Sequence, residues 1–162
     1  MGAAVAGCAS LRSSLPSGWD ELVDLLDEFD GREKFESICV FGLPINRLTQ
    51  HHQVCLSHRA VSATGSLLGC CFVAPLKYLR LDFGTYGILF EDGAENACDE
   101  PDGVLLEEYG CEPDPATVRM ALMEVQPRPY DLLTWNCQHF SAHLLKRLAV
   151  AKSVPALKAA TM

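Results

Sequence analysis

The stretch Tyr130-Asp131-Leu132-Leu133-Thr134-Trp135-Asn136-Cys137-Gln138-His139-Phe140 places a cysteine at the start of a predicted helix. Asn136 is a favoured N-cap residue. After it, apolar or small residues recur at helical spacing, namely Cys137, Phe140, Ser141, Leu144 and Leu148. Cys137 therefore lies in the first turn, where the positive end of the helix dipole and unpaired backbone N–H groups stabilise a thiolate. The same groups would stabilise an oxyanion after the sulfur attacks a carbonyl, so the stretch predicts a nucleophile.

A cysteine nucleophile needs a base, and helix geometry excludes the two nearest histidines. His139 is about 200° around the helix from Cys137, and His143 is about 240° around it. Neither ring faces the thiol, so the base has to come from another element. Three histidines remain, which are His51, His52 and His58.

His58 is the predicted base. A period of two over residues 52–60 places alternate residues on one largely apolar strand face, namely His52, Val54, Leu56, His58 and Ala60. Such a face packs against another layer of the domain, which we expect to include the cysteine helix. His52 shares the face but lies about 20 Å further along the strand, and His51 falls on the polar face. The predicted catalytic dyad is therefore Cys137 and His58.

The sequence leaves a third member of the site open. Four side chains have the chemistry to orient the base or bind the oxyanion, namely Gln53, Asp82, Glu107 and Tyr109. We expect His139 to be structural, with its ring bonded to backbone near the site. A purely structural Cys137 in the first turn of its helix is the alternative to a nucleophile.

The run Asn136-Cys137-Gln138-His139-Phe140-Ser141 resembles the nucleophile motif of the permuted papain-like thiol hydrolases. The isopeptidase branch, the PPPDE family of desumoylating and deubiquitinating enzymes, carries Asn-Cys-Asn-His-Phe-Ser. The sister lecithin:retinol acyltransferase-like (LRAT-like) family uses Asn-Cys-Glu-His-Phe, so Gln138 matches neither branch. The run His58-Arg59-Ala60-Val61 resembles the His-Ser/Thr-Gly-Val run of the isopeptidase branch, with Ala60 in place of glycine. The segment Gly87-Ile88-Leu89-Phe90-Glu91 also resembles that branch.

The resemblance implies an α+β, circularly permuted papain-like fold in which an antiparallel sheet packs against the helix carrying Cys137. It also implies a thiol hydrolase that cleaves isopeptide or thioester bonds of ubiquitin-like protein conjugates through Cys137 and His58. An LRAT-like lipid acyltransferase or phospholipase is the alternative activity. A non-catalytic binding module of the same fold is the third hypothesis, and it gains support if His58 lies far from Cys137.

Length and charge narrow the class of protein. The chain has 162 residues with 49% hydrophobic composition, which suits a single domain with its own core. Its formal net charge of −8 argues against a nucleic-acid partner. No signal peptide is recognisable at the start of the sequence, so we expect a cytoplasmic protein.

The cysteines are expected to be reduced and, apart from Cys137, structural. There are eight of them, and reduced thiols are the default in the cytosol. A zinc site built from Cys55 with His58 and Cys137 with His139 is conceivable, but no Cys-x-x-Cys pair is present and the strand period separates Cys55 from His58. We therefore expect no metal and no cofactor.

The order of the predicted elements completes an α+β description. An amphipathic helix over residues 17–31 leads into several strands, and a helix capped by Asp114 precedes the cysteine helix. Residues 17–148 form the predicted domain, between a flexible segment 1–16 and a tail 149–162. The apolar run of residues 66–76 is too short to cross a bilayer, so no transmembrane segment is expected.

Overall fold

A five-stranded antiparallel sheet forms the centre of the computed structural model, which describes residues 18–45, 49–61, 74–94 and 103–149. The order of the strands across the sheet is β4-β3-β2-β1-β5, so β2 is central and β4 and β5 are the edges. The strands are β1 (Glu33–Pro44), β2 (Gln50–Ala60), β3 (Lys77–Gly84), β4 (Gly87–Ala94) and β5 (Val104–Gly110).

Three α-helices accompany the sheet in the described part of the chain. They are α1 (Gly18–Phe29), α2 (Pro115–Val125) and α3 (Cys137–Leu144), and a π-helical turn (Leu145–Ala149) continues α3. The chain order of one helix, five strands and two further helices confirms the α+β class.

The predicted cap of Asp114 is confirmed, and the turn between β3 and β4 is likewise specified by local residues. The side chain of Asp114 accepts a hydrogen bond from the Thr117 N–H at 2.8 Å, and Pro115 opens α2. Strands β3 and β4 are joined by a two-residue turn, and Gly87 takes the positive φ of 88° that this connection requires.

Packing on the two faces of the sheet differs. The helices cover one face with apolar side chains that are almost fully buried, and the ring of Phe140 in α3 stacks on that of Phe83 in β3 with centroids 5.2 Å apart. The other face carries a small buried cluster of Cys39, Phe41 and Cys55. Burying a side chain of this size contributes about 1.5 to 3 kcal/mol, so the Phe140–Phe83 contact fixes α3 firmly against β3.

Parts of the sequence predictions fall beyond the described residues. The segment 1–16, most of the apolar run 66–76 and nearly all of the tail 149–162 lie there. Within the described ranges, no helix combines the length and the apolar character needed to cross a bilayer.

Candidate active site

Cys137 is the first residue of α3, as predicted. The Asn136 side chain caps the helix by accepting hydrogen bonds from the N–H groups of Gln138 and His139, at 2.9 and 3.3 Å. The preceding turn, residues 131–135, is held by backbone hydrogen bonds in both directions between Asp131 and Trp135. These contacts hold the thiol, which is only 6% exposed, at a defined place on the helix end.

The cap also limits which backbone N–H groups can donate a hydrogen bond to the sulfur. Because the N–H groups of Gln138 and His139 are bonded to Asn136, the N–H of Cys137 itself is the donor in this turn that remains for the sulfur. A second donor comes from the sheet, where the backbone N–H of His52 lies 3.3 Å from the Cys137 sulfur. The pair of donors is thus split between α3 and β2.

His51, at the start of β2, is the histidine whose ring contacts the Cys137 thiol. Its Nε2 lies 2.5 Å from Oδ1 of Asp82 in the neighbouring strand β3, which leaves Nδ1 for the sulfur. The hydrogen bond to Asp82, followed by the one to Cys137, raises the pKa of His51 to about 10. His51 is therefore an imidazolium at neutral pH.

Asp82 is itself held in place by Gln53. The Gln53 Nε2–H donates to Oδ2 of Asp82 at 2.9 Å, and the two residues are direct partners across β2 and β3. Burial raises the pKa of the Asp82 carboxyl, but the hydrogen bonds from His51 and Gln53 outweigh it and the net shift is downward. Asp82 stays ionised, with one oxygen aimed at each donor.

The same arrangement favours the ionised form of the nucleophile. Burial raises the pKa of the Cys137 thiol, but the hydrogen bonds from His51 and from the His52 N–H, with the charge of His51, lower it below its usual value. The opposite shifts of Cys137 and His51 agree with each other. Both shifts favour the thiolate–imidazolium form of the pair, in which the cysteine is an activated nucleophile.

His52 contributes its backbone to the sulfur and its ring to α3. Its Nδ1 lies 3.0 Å from the Ser141 hydroxyl oxygen, and that hydroxyl donates to the Gln138 carbonyl at 3.0 Å. The hydroxyl proton is thus used, so His52 donates from Nδ1. Burial and the nearby positive charge of His51 lower the pKa of His52, which remains neutral. This ring fastens the start of β2 to the helix that carries the nucleophile.

The structure does not bring His58 to Cys137, which corrects the predicted dyad. The His58 ring is 1% exposed and bonds two carboxylates, Asp92 at 2.8 Å and Glu33 at 3.3 Å. It also packs against the ring of Phe29, with centroids 4.6 Å apart. His58 lies seven residues beyond His51 in β2, or about 23 Å along a strand. It links β1, β2 and β4 at the end of the sheet remote from the thiol.

Because both ring nitrogens face a carboxylate, His58 carries a positive charge. Burial lowers the pKa of His58, but the bonds to Asp92 and Glu33 outweigh it and the net shift is upward. A raised folded-state pKa stabilises the fold fully below the unfolded value of about 6.5, and this contribution is lost as the pH rises through the folded value. We expect His58→Gln to cost about 3 kcal/mol at pH 6.

Urea unfolding of both proteins at pH 6 and pH 9 measures this contribution. The difference in unfolding free energy between wild type and His58→Gln should be smaller at pH 9 than at pH 6, because the contribution of a raised pKa is lost as the pH rises. A difference that widens with pH would contradict the assignment of a charged His58.

Other predicted residues are placed as follows. The His139 Nδ1 accepts from the Asn136 backbone N–H at 3.2 Å, which confirms its structural bond near the site, although the residue is exposed rather than buried. Of the four open candidates for a third member, the structure places Asp82 and Gln53 at the site. In the described ranges, no three side chains of the His, Cys, Asp or Glu type are grouped to hold a metal ion.

Comparison of the chain with models of known protein families, with curated protein sequences and with solved structures finds no match. The fold and the site define an α+β domain in which the ring of His51 is hydrogen-bonded to Cys137 and to Asp82. Any closer assignment rests on the short motif around Cys137.

Proposed function

We propose that this protein is a cysteine hydrolase of the permuted papain-like type, with Cys137 as nucleophile, His51 as acid and base, and Asp82 as the group that orients His51. One observation carries the proposal, namely the His51 ring between the Cys137 thiol and the Asp82 carboxylate. The order of a base on an early strand and a nucleophile on a later helix agrees with the resemblance of the Asn136–Ser141 run.

The geometry supports a two-step acyl transfer. The Cys137 thiolate attacks the carbonyl carbon, and the C–O electron pair moves onto the oxygen, within reach of the Cys137 N–H. The tetrahedral intermediate collapses as the bond to the leaving amine or thiol breaks, and His51 gives that group its proton. Water then gives a proton to the neutral His51 and attacks the thioester, which releases the carboxylate product and restores the thiolate.

We infer that the substrate is an isopeptide or thioester of a ubiquitin-like protein, because the Gly87–Glu91 segment resembles the isopeptidase branch. The His58–Val61 run no longer supports this choice, since His58 is not the base. A His58 remote from Cys137 favours a binding module. His58 is remote, but His51 occupies the place of the base, so the chemical groups of a hydrolase are still together. We propose a reducing, cytoplasmic setting, which keeps the nucleophile a thiol.

Alkylation by iodoacetamide as a function of pH tests the activated thiol. Because the pKa of Cys137 is lowered, its alkylation rate should fall less steeply between pH 8 and pH 6 than that of an ordinary thiol, which slows about tenfold per pH unit. Cys39 and Cys111 are internal controls, since burial raises their pKa values to about 11 and about 12. Mass spectrometry of digests identifies the labelled residue, and equal labelling of Cys137 and the controls would contradict the proposal.

The substrate class needs a separate comparison. A ubiquitin-like protein with a C-terminal vinyl sulfone should label Cys137 stoichiometrically, and a lipid thioester should be turned over slowly or not at all. The reverse result would favour the acyltransferase alternative. Failure of both probes, together with unselective alkylation, would favour the binding module.

A further inference from the structure

The edge strand β5 is exposed along most of its length. In the described part of the chain it pairs only with β1, and each residue from Val104 to Glu108 is exposed. An exposed edge is usually guarded by charged side chains, because its backbone N–H and C=O groups invite another strand. Here the first half of the strand is aliphatic instead, with Val104 54%, Leu105 47% and Leu106 38% exposed.

The aliphatic half of β5 lies level with the nucleophile. Gly42 of β1 pairs with His52 on one side and with Val104 on the other. Because neighbouring strands are about 4.8 Å apart, Val104 is about 10 Å across the sheet from His52, whose N–H contacts the Cys137 sulfur. The apolar edge therefore begins beside the candidate site.

Gly42 has no side chain to fill the space between β5 and the start of β2. A Cβ added there would lie 2.7 Å from the Gln50 side-chain oxygen and 3.1 Å from Cδ1 of Leu106. Leu106 thus folds over Gly42 towards the strand that carries His51 and His52. An aliphatic side chain therefore lies between β5 and the start of β2.

The second half of the edge is acidic. Glu107 and Glu108 follow the three aliphatic residues directly and are both exposed. The charge of Glu107 also acts on His52, in the direction that raises its pKa. A ligand lying along β5 would meet apolar side chains first and carboxylates next, on a chain whose net charge is −8.

We propose that the edge of β5 from Val104 to Glu108 docks an extended polypeptide segment of the substrate, with apolar side chains against Val104–Leu106 and basic side chains against the two glutamates. This docking strand rests on the proposed hydrolase function, and it favours a protein substrate over a lipid. A peptide can pair its backbone with the edge N–H and C=O groups and an acyl chain cannot. The carboxylates favour a cationic partner and repel an anionic lipid surface.

Fluorescence anisotropy with a labelled six-residue peptide of alternating leucine and arginine tests the docking strand. Saturable binding to the wild type is expected, weakened at least about tenfold by Leu105→Lys, because the buried leucine contact is lost and a charge is placed on the edge. The double variant Glu107→Lys with Glu108→Lys should also weaken it. Met120→Lys is the matched control, since Met120 is 59% exposed on α2, and it should bind as the wild type does.

The backbone requirement is tested with the same peptide N-methylated at alternate residues. This change blocks strand pairing and keeps the side chains, so binding should be lost. Equal binding of the methylated peptide, or of the peptide to Leu105→Lys, would overturn the proposal. Sedimentation of the wild type with phosphatidylcholine vesicles, abolished by Leu105→Lys, would overturn it in favour of a lipid surface.

The failure of this inference is distinguishable from that of the proposed function. Peptide binding needs no chemistry at Cys137, and iodoacetamide selectivity needs no peptide. If Cys137 is selectively alkylated but no peptide binds, the hydrolase stands without this docking strand. If the peptide binds but Cys137 is unselective, β5 docks a peptide in a protein that is not a thiol hydrolase.

Discussion

His51→Ala is expected to lower hydrolysis of a small thioester by at least about a thousandfold and to abolish the selective alkylation of Cys137 at pH 6. The magnitude is that of losing a general acid and base. In the wild type the imidazolium of His51 keeps the pKa of Cys137 low against the effect of burial. Without this charge, burial is the main influence on the thiol and raises its pKa. The thiol is then protonated at pH 6, so its rate of reaction with iodoacetamide falls.

His58→Gln is the matched control. His58 lies in the same strand as His51, but the structure does not place it at the thiol. It should lower stability yet preserve the thioester turnover per folded molecule. The measurement is steady-state hydrolysis of both variants at a temperature where circular dichroism shows them folded. If His58→Gln is folded and inactive while His51→Ala retains activity, the assignment of the base made from the structure is wrong.

The position of the nucleophile could be predicted from sequence because it depends on local features. The cap residue Asn136 and the helical spacing after Cys137 are written within one short stretch, and the structure confirms both. The Asp114 cap and the turn between β3 and β4 are specified in the same local way. These features need no knowledge of which elements become neighbours.

The base could not be chosen from the alternation of β2 alone, because alternation places His58 on the apolar face and His51 on a face that it marks as polar and solvent-facing. The strand is central, and its polar-face residues Gln53 and Ser57 are 4% and 1% exposed. The polar face of such a strand is where a buried hydrogen-bonded network lies. A signal was available, since His51 and Gln53 share that face and Asp82 was already an open candidate.

The end of β2 that meets α3 is a matter of tertiary packing. Phe140 stacks on Phe83, which follows Asp82 at the far end of β3. Because β3 runs antiparallel to β2, that end lies beside the start of β2, where His51 and His52 are. The Phe140–Phe83 contact and the His52–Ser141 hydrogen bond thus place the thiol at this end of β2, and no periodicity in the sequence of β2 encodes them.

Cys137→Ser is expected to abolish turnover, by at least about ten-thousandfold, while leaving the melting temperature within a few degrees of the wild type. Oxygen replaces sulfur with little change in volume, so the packing at the first turn of α3 is kept. The hydroxyl has a pKa far above that of the thiol, and the charge of His51 cannot ionise it at neutral pH. The site would then retain its geometry without a nucleophile.

Thermal unfolding and thioester hydrolysis measured on the same preparation test this expectation, with Cys39→Ser as the matched control for a buried thiol outside the site. The Cys39 variant should keep full turnover, because Cys39 pairs with Cys55, four residues or about 13 Å along β2 from His51. A Cys137→Ser protein that unfolds at much lower temperature would make the thiol structural. A folded Cys137→Ser protein that still hydrolyses the thioester would show that Cys137 is not the nucleophile. His51 and Asp82 would then activate water without the sulfur.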